Sequence, residues 1–133
     1  MPADPQVIAN LLQQAGNHLV TAAAVLTTDS EGAFALAHDA CRKACTALLN
    51  ALQLRPTGDG AHVTTFQAAA AAAHSFGARQ IVEDAANLRS VRHGAEYRRD
   101  VIDTTDATDA VAVGAELRHA LQPSIERILA GTS

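Results

Sequence analysis

The stretch SEGAFALAHDACRKACTALLNAL, residues 30–52, decides the fold class of this chain. Its apolar side chains recur every three or four residues, which places them on one face of an α-helix. This apolar stripe consists of Phe34, Ala37, Cys41, Ala44, Leu48 and Leu52. Because a proline at position 56 cannot continue a helix, we expect the helix to end near Leu54.

The same spacing predicts helices on both sides of this stretch. A first helix over about residues 5–27 begins with Asp4 as N-cap and Pro5 at the first helical position. A third helix covers about residues 61–75 and contains an alanine run, which favours close packing rather than disorder.

A fourth helix begins near Ala78 and runs into a segment rich in arginine. We expect Thr104-Thr105-Asp106 to cap a last helix, whose apolar stripe includes Leu117 and Leu121, and Pro123 to kink it. The apolar stripes predict that Leu48, Leu52, Leu88 and Leu117 lie in the core. No alternation typical of strands occurs. The sequence therefore predicts an all-α fold, an up-and-down helical bundle of four to five helices, in a single domain over residues 1–133.

Composition excludes several classes of protein. A formal net charge of -4 argues against a nonspecific nucleic-acid coat or a basic membrane anchor. No apolar run approaches the roughly 20 residues that span a bilayer, and the first residues do not resemble a signal peptide. We therefore expect a soluble, cytoplasmic protein.

A metal site is one interpretation of His38, Cys41 and Cys45, which follow each other at three and four residues. Three ligands on one face of a single helix cannot complete a tetrahedron, and no second cluster occurs. We expect no metal and no cofactor, and two reduced thiols in the core. His18 and His119 stand in no recognisable pattern.

Residue types that can bind anions or transfer protons are concentrated in LRSVRHGAEY, residues 88–97. We call this stretch the Arg92 segment. Five of the ten basic residues of the chain fall within residues 79–99, and Tyr97 is the only tyrosine. A local basic patch on an acidic domain is the expected consequence.

The order of these elements resembles the HEPN superfamily of small prokaryotic helical bundles. The resemblance rests on a long helical hairpin, the entry Gly60-Ala61-His62 to the third helix, and Leu88-x-x-x-Arg92-His93-x-x-x-Tyr97 before a final long helix. It implies a homodimer in which both protomers contribute the motif Arg-x(4–6)-His to one cleft. It also implies an RNA or nucleotide ligand, metal-independent endoribonuclease activity in a toxin–antitoxin or phage defence system, and a nucleotidyltransferase partner.

In this resemblance Arg92 matches the motif arginine and His93 matches a position that is commonly polar. Tyr97 stands where active nucleases have histidine. Arginine suits the stabilisation of a phosphorane, and histidine titrates near neutrality, whereas a tyrosine, with an ordinary pKa of about 10, is a poor base. The predicted catalytic residues are Arg92, His93 and Tyr97, and the predicted binding residues are Arg89, Glu96, Arg99 and His62.

Other interpretations remain open. Arg92 and Glu96 form an i,i+4 ion pair in the structural interpretation, and Tyr97 is then a packing residue. Arg89, Arg98 and Arg99 would then form a solvated face, and His62 would be a helix cap or a surface residue. At the level of function, the alternatives are a noncatalytic partner subunit of a nucleotidyltransferase and a purely structural bundle.

Overall fold

The computed structural model describes residues 3–54, 61–98 and 101–131, with the backbone alone at 61–64, 75 and 89–98. Within these ranges the chain is helical and contains no strand, so the predicted all-α fold is confirmed. The helices are α1 (Pro5–Ala24), α2 (Ser30–Ala51), α3 (Ala61–Ala73), α4 (Arg79–Arg98) and α5 (Thr104–Gly131), with a 3₁₀ turn at His74–Phe76 between α3 and α4.

Aspartates start the first two helices. The carboxylate of Asp4 accepts hydrogen bonds from the backbone N–H groups of Gln6 and Val7 at 2.9 and 3.4 Å. Asp29 accepts one from the N–H of Gly32 at 2.9 Å. These bonds satisfy amides that have no partner within the helix. The predicted start of α1 is confirmed.

Both of these helices end before the predicted positions. The N–H of Val25 bonds back to two carbonyls of the last turn, and α1 ends at Ala24 instead of residue 27. α2 ends at Ala51 instead of Leu54, because the chain reaches Gln53 with a φ of 63°. A positive φ cannot continue a right-handed helix.

The predicted cap of α5 is correct for Asp106, but its partner is Asp103 and not one of the two threonines. The N–H of Asp106 donates to the Asp103 carboxylate at 2.9 Å, and the N–H of Asp103 donates to the Asp106 carboxylate at 3.2 Å. This reciprocal pattern is a capping box with two aspartates. Thr104 is therefore the first helical residue, and its hydroxyl lies 3.1 Å from that of Ser30 at the start of α2. α5 continues through Pro123.

α2 is the central helix of the bundle. It contacts all four other helices, and 11 of its 22 residues are buried. α5 runs parallel to α2, since Thr104 meets Ser30 and Gly114 meets Cys41 farther along both helices. α1 runs antiparallel to both. A Cβ at Gly114 would stand 2.7 Å from Leu19 Cδ2 and 3.5 Å from Cys41 Sγ, so glycine permits the three helices to approach closely.

α3 and α4 pack on each other and on α2. The alanine run is helical, and α3 buries Phe66, Ala69 and Ala73. Gly77, with a φ of 72°, ends the 3₁₀ turn in the left-handed conformation that glycine adopts without steric cost. The ring of Phe66 lies 5.7 Å from that of His38, which fixes α3 against α2.

Most predicted core leucines are buried. Leu48 and Leu117 are fully buried, and Leu88 is 8% exposed. Leu52 is an exception, because it follows the last residue of α2 and is only partly buried.

Candidate functional site

The predicted site residues lie at the ends of two helices. Residues 89–98 form the last turns of α4, and position 62 lies in the first turn of α3. The helix therefore places Arg89, Arg92, His93, Glu96 and Tyr97 on one continuous element. Their side chains, that of His62 and the whole of Arg99 lie outside the described residues.

The register of α4 distinguishes these positions. Its described buried residues form one stripe, made by Ile81, Val82, Ala85 and Leu88. Positions 92 and 96 follow Leu88 by four and eight residues and continue this stripe at about 100° per residue. Position 97 lies roughly 140° around the helix from position 92. In helical register, the buried stripe of α4 is thus followed by positions 92 and 96.

In the first half of α4, charged and polar side chains pair with each other along the helix. Arg79 Nε donates to Glu83 Oε1 at 2.9 Å, and Gln80 donates to Asp84 at 2.9 Å. Arg79 and Glu83 are 56% and 43% exposed. Such pairs are ordinary surface interactions along one helix.

A polar cluster that sequence reading missed joins α1 to α2. Asp39 accepts two bonds from Arg42, at 3.0 and 2.7 Å, and lies 3.3 Å from both His18 Nε2 and Lys43 Nζ. Lys43 Nζ is 2.8 Å from His18 Nε2. An ammonium donates to that nitrogen only when the ring carries its proton on Nδ1.

Each charged side chain of this cluster has a partner within the cluster. Partial burial raises the pKa of Asp39, but hydrogen bonds and positive charge from Arg42 and Lys43 outweigh it and hold the pKa below its ordinary value. His18 is the only member of the cluster on α1. We interpret the cluster as a structural link between two helices, and only the packing of α1 on α2 reveals it.

A groove of about 740 Å³ runs between α1 and α5. We call it the α1–α5 groove. Apolar side chains line much of it, among them Ile8, Leu12, Leu19, Val20, Ile125 and Leu129. Its polar lining includes Gln13 and Asn17 from α1 and Arg118, His119, Gln122 and Glu126 from α5.

Arg118 is fixed at this groove by α1. Its Nε donates to the backbone carbonyl of Leu12 at 2.8 Å, and its guanidinium lies over Gly16. The sequence contains one signal for this arrangement, a glycine within the α1 helix, where glycine costs about 0.5–1 kcal/mol relative to alanine. That signal does not identify its partner on α5.

The residues that the structure describes offer no further ligands to the metal site considered for α2. Cys41 and Cys45 are buried thiols, and burial raises the pKa of Cys41 to about 12 and that of Cys45 further. Within the described ranges, no three histidine, cysteine, aspartate or glutamate side chains come together as a metal site would require.

Comparison of the chain with protein family models, curated proteins and solved structures finds no match. The resemblance to the HEPN superfamily therefore rests on helix order and on the Arg92 segment. No helix in the described part of the chain is long and apolar enough to cross a membrane.

Proposed function

We propose that the protein binds RNA or a nucleotide through the Arg92 segment of α4. The function follows from the residue types in this segment, since arginine forms bidentate hydrogen bonds to phosphate. An acidic chain that collects half of its basic residues within residues 79–99 has a local site for an anion and not a general affinity for polyanions.

The change of residue type along α4 is the observation that supports this proposal most. Leu88 is buried, and the next positions on the same stripe are those of Arg92 and Glu96. A charged residue at the end of an apolar stripe needs water, a counter-charge or a ligand. Glu96, one turn along the same helix, is one such counter-charge, and in this proposal the partner of Arg92 is a phosphate.

Two other arginines already have ion-pair partners in the folded chain. Arg42 is paired with Asp39, and Arg79 with Glu83. They are accordingly weaker candidates for the same role than the arginines of the Arg92 segment.

In the catalytic form of this proposal, Arg92 stabilises the charge on a phosphorane and His93 moves protons, because neutral imidazole is a base near pH 7. Tyr97 orients the phosphate by donating a hydrogen bond. In the noncatalytic form the same residues bind without cleaving, and the protein acts as the partner subunit of a nucleotidyltransferase. The replacement of the motif histidine by Tyr97 favours the noncatalytic form.

A binding experiment tests the proposal. Fluorescein-labelled single-stranded RNA is titrated with the protein in EDTA, and unlabelled ATP is added as competitor. We expect saturable binding that weakens as salt increases, because phosphate contacts release counterions. ATP that competes identifies a phosphate site, and gel analysis of the RNA after incubation separates cleavage from binding. Absence of saturable binding to both RNA and ATP would contradict the proposal.

A further inference from the structure

The α1–α5 groove has no occupant within the described chain. It lies between Pro5 and Val20 of α1 and between Ala115 and Leu129 of α5. Val20, which lines its edge, is 72% exposed. A partner that fills the groove would cover this side chain together with the apolar lining.

Arg118 supplies a fixed positive charge in this groove. The bond from its Nε to Leu12 holds the guanidinium in place. Among the described residues, no acceptor bonds its two terminal nitrogens. A half-buried guanidinium with one nitrogen bound to backbone is oriented to receive a carboxylate on the other two.

α5 supplies such a carboxylate on the same face. Arg118, Gln122 and Glu126 are spaced by four residues and all line the groove. Glu126 is exposed, and its Oε1 accepts only a long bond of 3.3 Å from Gln122. Arg118 and Glu126 are eight residues apart, so they do not pair within one helix.

We propose that a second copy of this chain occupies the groove, with the two α5 helices antiparallel about a twofold axis at Gln122. In this register Arg118 faces the partner's Glu126, and Glu126 faces the partner's Arg118. The two reciprocal ion pairs satisfy the terminal nitrogens of both arginines.

The sizes of the side chains along α5 agree with this register. Ala115 and Leu129 lie seven residues on either side of Gln122, and both line the groove. The antiparallel register therefore places a small side chain opposite the partner's Leu129, so that the larger residue fills space left by the smaller one. Together with α1 of each protomer, the two α5 helices form a four-helix interface that covers Val20.

This interface differs from the shared cleft expected from the sequence. Residue 104, where α5 begins after α4, is 18 residues from Gln122, or roughly 27 Å along the helix. The antiparallel pair thus carries the two Arg92 segments toward opposite ends of the dimer. The proposed dimer and the proposed function are therefore independent and can fail separately.

Charge reversal with complementary variants tests the register. Analytical ultracentrifugation of the full chain at micromolar concentration should show a dimer. Glu126→Arg and Arg118→Glu should each be monomeric, because each places like charges opposite one another twice. A mixture of the two variants should form a heterodimer, since one chain then provides two arginines and the other two glutamates at these positions. Glu116→Arg, an exposed change on α5 outside the groove, should remain dimeric.

Arg118→Glu also removes the bond to Leu12, so a second measurement does not depend on that variant. Gln122→Cys lies on the axis and should form a disulfide-linked dimer under mild oxidation, whereas Glu116→Cys should not. Cys41 and Cys45 are buried and should not react under these conditions.

Two results would overturn the proposal. One is a monomeric wild-type chain at micromolar concentration, including a monomer whose groove binds some other acidic ligand. The other is a dimer that Glu126→Arg leaves intact and that Gln122→Cys does not cross-link, which would assign dimerisation to a different surface.

Discussion

The guanidinium of Arg118 lies against Gly16, where an added Cβ would stand 3.3 Å from its Cζ, Nε and Nη2 atoms. The glycine and the arginine are on different helices and act together. A side chain at position 16 would press on the group that bonds to Leu12. The position of the Arg118 guanidinium thus depends on Gly16, a residue that weakens α1.

In the wild-type chain, we expect Gly16→Ala to have two opposing effects on the free energy of unfolding. Alanine favours the helix by about 0.5–1 kcal/mol, but the contact with Arg118 offsets this gain. In an Arg118→Ala background the contact is absent, and Gly16→Ala should stabilise by about 0.5–1 kcal/mol. Urea unfolding of the four proteins measures the coupling. The Glu126→Arg variant serves as the background so that dimerisation makes no contribution. Equal effects of Gly16→Ala with and without Arg118 would show that the two residues are not coupled.

Leu48→Ala and Leu117→Ala should each lower the free energy of unfolding by about 2–5 kcal/mol. Both side chains are fully buried, so truncation removes apolar contacts and leaves a cavity. Leu54→Ala is the matched control, because Leu54 is 48% exposed and should cost less than about 1 kcal/mol. Losses below about 1 kcal/mol at both buried positions would show that the helix faces are assigned incorrectly.

The cluster of Asp39 with Arg42, Lys43 and His18 should stabilise the fold in a pH-dependent way. The pKa of Asp39 is lower in the folded chain than its ordinary value of 3.8. Its contribution is therefore fully present above pH 3.8 and is lost as the pH falls through the folded pKa. Asp39→Asn should be less stable than wild type at pH 7, by under about 1 kcal/mol because the group is partly solvated.

Urea unfolding at pH 7 and below pH 3.8 checks this expectation. The difference between wild type and Asp39→Asn should narrow at the lower pH. A difference between wild type and Asp39→Asn that stays constant between the two pH values would contradict the assigned role of the carboxylate.

In the catalytic form of the proposed function, Tyr97→His should raise metal-independent cleavage of single-stranded RNA above the wild-type level. Histidine titrates near neutrality and can move the proton that tyrosine holds. Tyr97→Phe is the control, since it keeps the ring and removes the hydroxyl. Cleavage is followed on gels in EDTA. If Tyr97→His and Tyr97→Phe cleave equally, position 97 has no part in proton transfer.

Local signals predict much of this fold. Asp4 caps α1 as expected, and the apolar stripes of α2 and α5 correctly identify Leu48 and Leu117 as core. In the cap of α5, Asp106 is predicted and Asp103 is missed, because two aspartates form a box that usually contains Ser or Thr with Glu.

The remaining features depend on contacts between residues that are far apart in the chain, and sequence patterns do not reveal such contacts. Arg118 and Leu12 are 106 residues apart in the chain, and only the packing of α5 on α1 joins them. His18 likewise gains its partners from α2. The Arg92 segment is different, because its residue types suggest phosphate chemistry and α4 adds the register that aligns position 92 with the buried stripe.

Binding of RNA at the Arg92 segment is tested most directly by anisotropy titrations of one labelled RNA, at one salt concentration, with wild type, Arg92→Ala and Arg127→Ala. Arg127 is an exposed arginine on α5, so its variant removes the same charge elsewhere. We expect Arg92→Ala to raise Kd about 10- to 100-fold, as loss of a charge-assisted bond predicts, with Arg127→Ala and the urea midpoints unchanged. Equal weakening by both variants, or a loss of stability in Arg92→Ala without loss of binding, would contradict the account.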